Sequence, residues 1–318
     1  MGRWGLTVPL SGTALLDHAP VIPQLPGWGY TDLWSAEVNG ADAFVPLALA
    51  STWEPTLRLG TAIVPVFTRG PALIAMSAAT MAAAAPGRFV LGLGASSPAI
   101  VESWNGLDFD QPFRRTRDVL RVVKQALAGE RVDGTFDTMT VSRFRLESPP
   151  ADPPPVMLAA LRPQMLALAG READGAILNW LAASDVARCL EAIGAPTETV
   201  ARVFVCPTED AGYARTLGRT LISSYLTVPA YAAFHDWLGR GPALRGMHEA
   251  WAAGDRRGAA AAVPDEVVDA LVLHGAPESV RDQVQAYADA GVTTPVLALL
   301  PAPELDVTDV VRRLGPAA

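Results

Sequence analysis

Short apolar runs alternate with helical windows along the whole chain, and this alternation limits the fold more than any other feature of the sequence. The runs are Arg3–Val8, Asp32–Ala36, Leu57–Val64, Phe89–Leu93, Val156–Ala159, Ala176–Asn179, Arg202–Cys206 and Pro295–Leu300. They are often bounded by Gly or Pro, the pattern of strands buried on both faces. The windows between them include Pro71–Ala85, with a proline suited to a first helical turn, and Arg114–Ala128, closed by Gly129. Pro163–Ala173, Asp185–Ile193 and Pro277–Ala290 continue the series. Strands separated by helices pair in parallel through right-handed crossovers. Eight such units predict an α/β fold, a closed (β/α)8 TIM barrel. An open doubly wound sheet is the rival that pattern alone leaves standing. The 318 residues suit one barrel of about 250 residues plus insertions, so residues 1–318 are expected to form a single domain.

Two segments break the rhythm. Asp133–Asp152 contains Thr138-Met-Thr-Val-Ser-Arg-Phe-Arg145, which alternates like an exposed hairpin arm, and runs into the proline cluster Pro149–Pro155. Pro207–Ala270 is far too long for a simple connection. It is expected as a helical insertion between the seventh and eighth strands, with helices around Tyr213–Leu226, Ala230–Leu238 and Glu249–Ala262. Such an insertion forms either a substrate wall at the carboxyl face or a dimerisation element.

Half of the residues are hydrophobic and 18% are charged, enough apolar material for a large core and too much for disorder. The net charge of −8 repels phosphate backbones, which argues against nucleic acid as a partner. The alanine-rich stretch Ala78–Ala85 is too short to span a bilayer, and the amino terminus has no signal-peptide pattern. Cys189 and Cys206 lack metal-ligand spacing and fit buried free thiols in a reducing compartment. These features together predict a cytoplasmic protein with no membrane attachment.

In a barrel of this kind the working site lies at the carboxyl ends of the strands. The second strand is followed by Glu37-Val38-Asn39, and the third ends at Ala62-Ile63-Val64-Pro65. The fourth runs into Gly92-Leu-Gly94-Ala95-Ser96-Ser97-Pro98, the fifth into Ala159-Ala160-Leu161-Arg162-Pro163, and the sixth ends at Asn179-Trp180. This rim has no paired carboxylates, no serine beside a base and no metal-ligand cluster; His18, His235, His248 and His274 lie elsewhere. Its Gly-Ala-Ser-Ser turn offers N–H and hydroxyl groups to a polar or anionic ligand. Gly92-x-Gly94 alone is no dinucleotide fingerprint, because the further glycine and the distant acid are missing. Arg162 either binds phosphate or pairs with a surface carboxylate, and Glu37 is either a site acid or a solvated loop acid. Trp34, Trp104 and Trp180 read as packing, as do Met157 and Met165. In the insertion, Tyr225, Tyr231, Phe234, His235 and Trp237 could line a substrate space, with helix packing the expected role for most. A rim so poor in acids and bases suits a large cofactor that carries the hard chemistry itself.

Several of these pieces together resemble the luciferase-like monooxygenase superfamily, and within it the branch that uses the 8-hydroxy-5-deazaflavin coenzyme F420. They are Thr68-Arg-Gly-Pro71, Pro86-Gly-Arg-Phe-Val-Leu-Gly-Leu-Gly94 with Ala95-Ser-Ser-Pro98, and Pro155-Val-Met-Leu-Ala-Ala160 with Met165. Ala173-Asp-Gly-Ala-Ile-Leu-Asn179 and the ending His274-Gly-Ala-Pro-Glu-Ser-Val280 add to them. The resemblance covers nearly the whole chain except Pro207–Ala270. It implies a (β/α)8 barrel with the deazaflavin ring over the strand ends and a non-prolyl cis peptide at Ala62-Ile63 behind the ring. It also implies that Gly94, Ala95, Ser96, Ser97 and Pro98, with Ala159, Ala160, Leu161 and Arg162, hold the ring edge and the phosphate-bearing tail. Asn179 joins this set, and Glu37 takes an acidic position near the ring as proton donor or positioning group. Two departures stand out. Val38 replaces the histidine of alcohol-oxidising relatives, and Arg162 replaces a glycine.

The activity so implied is F420-dependent oxidoreduction, with hydride passing between the deazaflavin C5 and a C=C, C=N or C=O bond of a small organic substrate. An FMN-dependent monooxygenase of the same superfamily is the alternative, and a non-catalytic flavin or deazaflavin carrier is a third. Family members are often homodimers, so a homodimer is expected here.

Overall fold

Eight parallel strands close on themselves around the centre of the molecule. They are β1 (Gly5–Thr7), β2 (Asp32–Ser35), β3 (Arg58–Thr61), β4 (Phe89–Gly94), β5 (Val156–Ala159), β6 (Gly175–Asn179), β7 (Glu198–Cys206) and β8 (Thr294–Leu299). The structure is a computed structural model and describes residues 2–302 and 306–317. Pairing runs from β1 to β8 in chain order, and β8 returns to β1 through Gly5 opposite Val296, so the barrel is closed and the open sheet is excluded.

Helices cover the outside. Prolines at the first helical turn start α2 (Pro71–Ala84), α3 (Pro112–Leu127), α4 (Pro163–Glu172) and α11 (Pro277–Asp289), where the missing N–H costs nothing. α3 buries Val119, Leu120, Val123 and Leu127 and leaves Arg114 and Arg121 outside, the spacing of a helix laid on a sheet. α5 (Val186–Ile193) ends at Gly194 in the left-handed conformation, φ 72°. Val132–Thr135 and Thr140–Phe144 form the expected antiparallel hairpin. Among the described residues no helix is long and apolar enough to cross a membrane.

Four boundaries differ from those expected. The third strand stops at Thr61, where the Ala62–Ile63 peptide is cis, and pairing with β4 resumes at Val64–Pro65. The seventh strand starts at Glu198, four residues before Arg202, because Val200 and Ala201 are buried between β6 and β8. The helix expected over Glu249–Ala262 is broken by Gly254 (φ 81°) and Asp255, whose carboxylate accepts from the Gly258 N–H and starts a new helix. The segment after β7 therefore holds five helices: Ala211–Tyr225, Pro229–Trp237, Gly241–Ala252, Arg256–Ala261 and Asp265–Leu271. Finally, Val272–His274 is a short strand and not the approach to the last helix. It pairs with Phe204–Cys206 on the edge of β7 that β6 leaves free beyond Asn179.

The barrel interior is filled by Trp34, Val90, Met157, Ile177, Val200 and Val296. Trp34 takes most of that space, and two glycines make it possible. A Cβ on Gly60 would lie 2.3 Å from the indole, and one on Gly5 would lie 3.1 Å from it. Below this plug, Asp32 is fully buried between Arg3 and Arg58, and Arg58 also pairs with Glu198, tying β1, β2, β3 and β7 at their amino ends.

Gly60→Ala should lower stability by about 1–3 kcal/mol, since the indole must give way to the added methyl. Urea unfolding measures this, and pairing the change with Trp34→Phe should recover part of the loss. A second expectation concerns His235, buried on Pro229–Trp237 with both ring nitrogens unpartnered. Burial, aided by the Arg240 charge, pushes its imidazole down from 6.5 to about 3. Between those values the unfolded chain binds the extra proton, so this group costs stability as pH falls through that window and none above it. Going from about pH 7 to about pH 4.5, His235→Phe should lose less stability than the wild type; equal losses would refute the assignment.

Candidate active site

A cavity of about 1080 Å³ opens over the carboxyl ends of the strands. That is at or above the size of pockets for drug-sized ligands, about 300–1000 Å³. Glu37, Ala62, Ile63, Gly94, Ala95, Ser96, Ser97, Pro98, Ala159, Leu161, Arg162 and Asn179 all line it. Ala160 does not: it is fully buried, and its N–H donates to the Ile177 carbonyl at 3.0 Å.

The wall formed by β2 to β5 is built from small residues. Ala36, Ala62, Gly94 and Ala159 close it, with the cis peptide at its centre. A Cβ on Gly94 would lie 2.8 Å from Ile63 Cγ1 and 3.1 Å from Ala159 Cβ, so any larger residue there would displace the bulge at Ile63. Beyond Gly94, Ser96 turns the chain in the left-handed conformation, φ 69°. Among the described residues, the N–H groups of Ala95, Ser96, Ser97 and Leu161 have no protein acceptor and are available to a ligand. Arg162 sits at the amino end of α4, exposed and with no acidic partner among the described residues. A free guanidinium at a helix amino terminus is a site for an anion.

Glu37 is held in place. Arg69 Nε donates to both of its carboxylate oxygens at 3.0 and 3.1 Å, and Nη2 adds a bond to Oε2 at 2.9 Å. Arg69 also pairs with Asp42, and these acids hold its guanidinium above its ordinary value. Both oxygens of Glu37 are thus already accepting, an arrangement that orients a carboxylate.

The opposite wall, from β6 and β7, is polar and aromatic. Asn179 and Arg202 are cross-strand partners at the point where the two strands separate. Asn179 Nδ2 donates to the Tyr231 hydroxyl at 2.8 Å, while its Oδ1 is buried and unpartnered. Arg202 lies over the Phe204 ring, 4.8 Å from its centre, with the Tyr225 and Tyr231 hydroxyls as its polar neighbours. No carboxylate reaches it among the described residues, its Nε has no acceptor, and burial works against its charge. A cation–π contact contributes about 0.5–2 kcal/mol, less than the several kcal/mol that burying an ion costs.

Tyr225 and Tyr231 thus line the cavity, whereas Phe234 and His235 are buried in helix packing and Trp237 stacks under Arg188 at 4.6 Å. Trp34 and Trp180 are core, Met157 is buried in the barrel, Met165 lines the cavity and Trp104 is exposed. Sequence reasoning passed over Arg202, Phe109 and Gln111, all in the lining. For Arg202 a signal existed: it alternates with Val200 and Phe204 in a strand buried on both sides, so its charge has to face inward.

Fold and site together define an α/β-barrel protein with a large carboxyl-end cavity, flat and small-sided on one wall, polar on the other. The chain belongs to the luciferase-like monooxygenase family, whose description matches residues 27–294. A Mycobacterium tuberculosis protein carrying the provisional name coenzyme F420-dependent oxidoreductase is 28% identical, covering 93% of each chain. A 5,10-methylenetetrahydromethanopterin reductase of Methanolobus tindarius is 24% identical over 83% of this chain and 84% of its own length. The solved F420-dependent tetrahydromethanopterin reductase of Methanopyrus kandleri shares the fold, with TM-score 0.80, 20% identity and coverage of 99% and 98%.

The Arg69–Glu37 pair is half-buried. A double-mutant cycle with Arg69→Met and Glu37→Gln should give a coupling of about 1–2 kcal/mol, between exposed and fully buried pairs. A coupling near zero would show that Arg69 does not hold Glu37 in solution.

Proposed function

We propose that this protein is a coenzyme F420-dependent oxidoreductase that reduces a C=C, C=N or C=O bond of a small organic substrate. The observation that carries the reading is the two-walled cavity, in which groups that can hold ligands outnumber groups that can do acid–base chemistry. A relative named for F420 dependence that matches 93% of this chain supports the same choice. The residues present fit such a cofactor. Ala36, Ala62, Gly94 and Ala159 leave a slot for a flat ring beside the Ile63 bulge. The free N–H groups of Ala95, Ser96 and Ser97 suit its polar edge, and Arg162 with the amino end of α4 suits an anionic tail.

When bound, reduced F420 supplies a hydride at C5. The chain's own residues then have three tasks. Glu37, fixed by Arg69, positions the ring edge. The aromatic groups around Phe204 and Tyr225 exclude water from the polar wall. Tyr231 keeps its phenolic proton at neutral pH, since burial pushes it up to about 12, and it already accepts a bond from Asn179. Its hydrogen is therefore the one available to polarise, or to protonate, the heteroatom of the substrate.

Titration of purified protein with F420 and with FMN, followed by fluorescence quenching, tests the reading. Saturable F420 binding is expected with a Kd of about 10 µM or tighter and FMN at least about ten-fold weaker. Gly94→Val should weaken F420 binding by about ten-fold or more with the circular dichroism unchanged. Tight FMN binding with no response to F420 would make the protein an FMN-dependent monooxygenase instead. Binding of reduced F420 that is never consumed across enones, imines and ketones would make it a carrier.

A further inference from the structure

We propose that Arg202 is the anion-recognition residue of a substrate subsite on the β6–β7 wall, and that the substrate it selects carries a carboxylate next to its reducible bond. The inference rests on the F420-dependent reading and goes beyond it by naming the substrate class.

Ile177, Asn179, Arg202, Tyr225 and Tyr231 form this wall, and Arg202 is its one charge. The other arginines that line the cavity, Arg114 and Arg162, belong to α3 and the amino end of α4, which follow β4 and β5 and are not part of this wall. The Phe204 ring covers one face of the guanidinium and the Tyr225 hydroxyl takes one of its N–H groups, which leaves the remaining in-plane donors of the two terminal nitrogens for a ligand. Two oxygens in one plane match that edge, which is the geometry of a carboxylate. A single guanidinium also balances a single negative charge, whereas a phosphate would bring nearly two with no second cation on this wall. Asn179 donates into Tyr231, so the Tyr231 hydroxyl hydrogen is free beside the same space. The wall therefore presents one cation and a neighbouring neutral donor, the complement of an acid with an adjacent carbonyl or conjugated double bond. An anionic cofactor tail has a guanidinium of its own in Arg162, next to the unpaired N–H groups that follow β4 and β5, which leaves Arg202 for the substrate.

Calorimetric titration with cinnamate and its neutral isostere cinnamamide, on the F420-saturated protein and on the protein alone, tests the proposal. The wild type should bind cinnamate at least about ten-fold more tightly than cinnamamide. Arg202→Gln should erase that preference, Arg202→Lys should restore part of it, and the F420 affinity of both should stay within about two-fold of the wild type. Equal affinity of the wild type for acid and amide would overturn the proposal, and needs no variant. Loss of F420 affinity in Arg202→Gln with the acid preference retained would also overturn it and give the guanidinium to the cofactor. Failure of F420 to bind the wild type would instead refute the F420-dependent reading, while the titrations of the protein alone would still report on Arg202.

Discussion

The indole of Trp34 inside the barrel is the contact on which the rest of the structure depends. It occupies the space that eight inward-facing strands would otherwise leave empty, and it does so against backbone, since Gly60 and Gly5 offer no side chain. The plug sets the floor of the site. With the lower barrel filled, the small residues above it, Ala36, Ala62, Gly94 and Ala159, form a cavity and not a packing defect. Closure of β8 on β1 matters in the same way. It leaves no open edge in the barrel and makes the carboxyl ends converge, so residues from the ends of six strands, β2 to β7, meet in one space.

Above that floor the two walls differ in kind because the chain leaves them differently. β4 and β5 pass into tight turns whose backbone N–H groups are unpaired, so that side is a cradle of main chain. β6 stops at Asn179 while β7 continues to Cys206, and its vacated edge is taken by Val272–His274. This separation lets the helices after β7 lean over the barrel mouth. Trp180 stacks on Phe204 at 4.0 Å and contacts Tyr225, so the aromatic roof and the buried Arg202 come from the same structural event.

How much of this was legible follows from what each residue depends on. Phe89–Gly94 and Gly175–Asn179 are apolar runs with sharp ends, so strand and rim position could be read directly. Gly94 to Pro98, Ala159, Leu161 and Arg162 could be placed at the cavity because a barrel's rim is defined by where its strands stop, whereas Ala160 points into the core. Val272–His274 was missed because a strand of three residues has no period, and only the vacated edge of β7 makes it a strand. Arg69 on Glu37 was missed because the partners lie 32 residues apart and meet only through the turn after the third strand. Tyr225 and Tyr231 could be offered as lining but not told apart from Phe234 and Trp237, since on a helix an aromatic facing a cavity and one facing a core have the same spacing.

In the proposed reaction the acids and bases of the site divide the work. Glu37 was attractive as a proton donor because it is the acid that follows the second strand. With Arg69 donating to both of its oxygens, its carboxylate is held in one orientation, which suits positioning the proposed ring. The Tyr231 phenol meets the opposite condition. Its oxygen is committed as acceptor to Asn179, its proton is retained by burial, and it stands on the same wall as the buried cation of Arg202. A reduction that delivers hydride from one wall needs its charge held and its proton supplied from the other, and Arg202 with Tyr231 is where this chain places both.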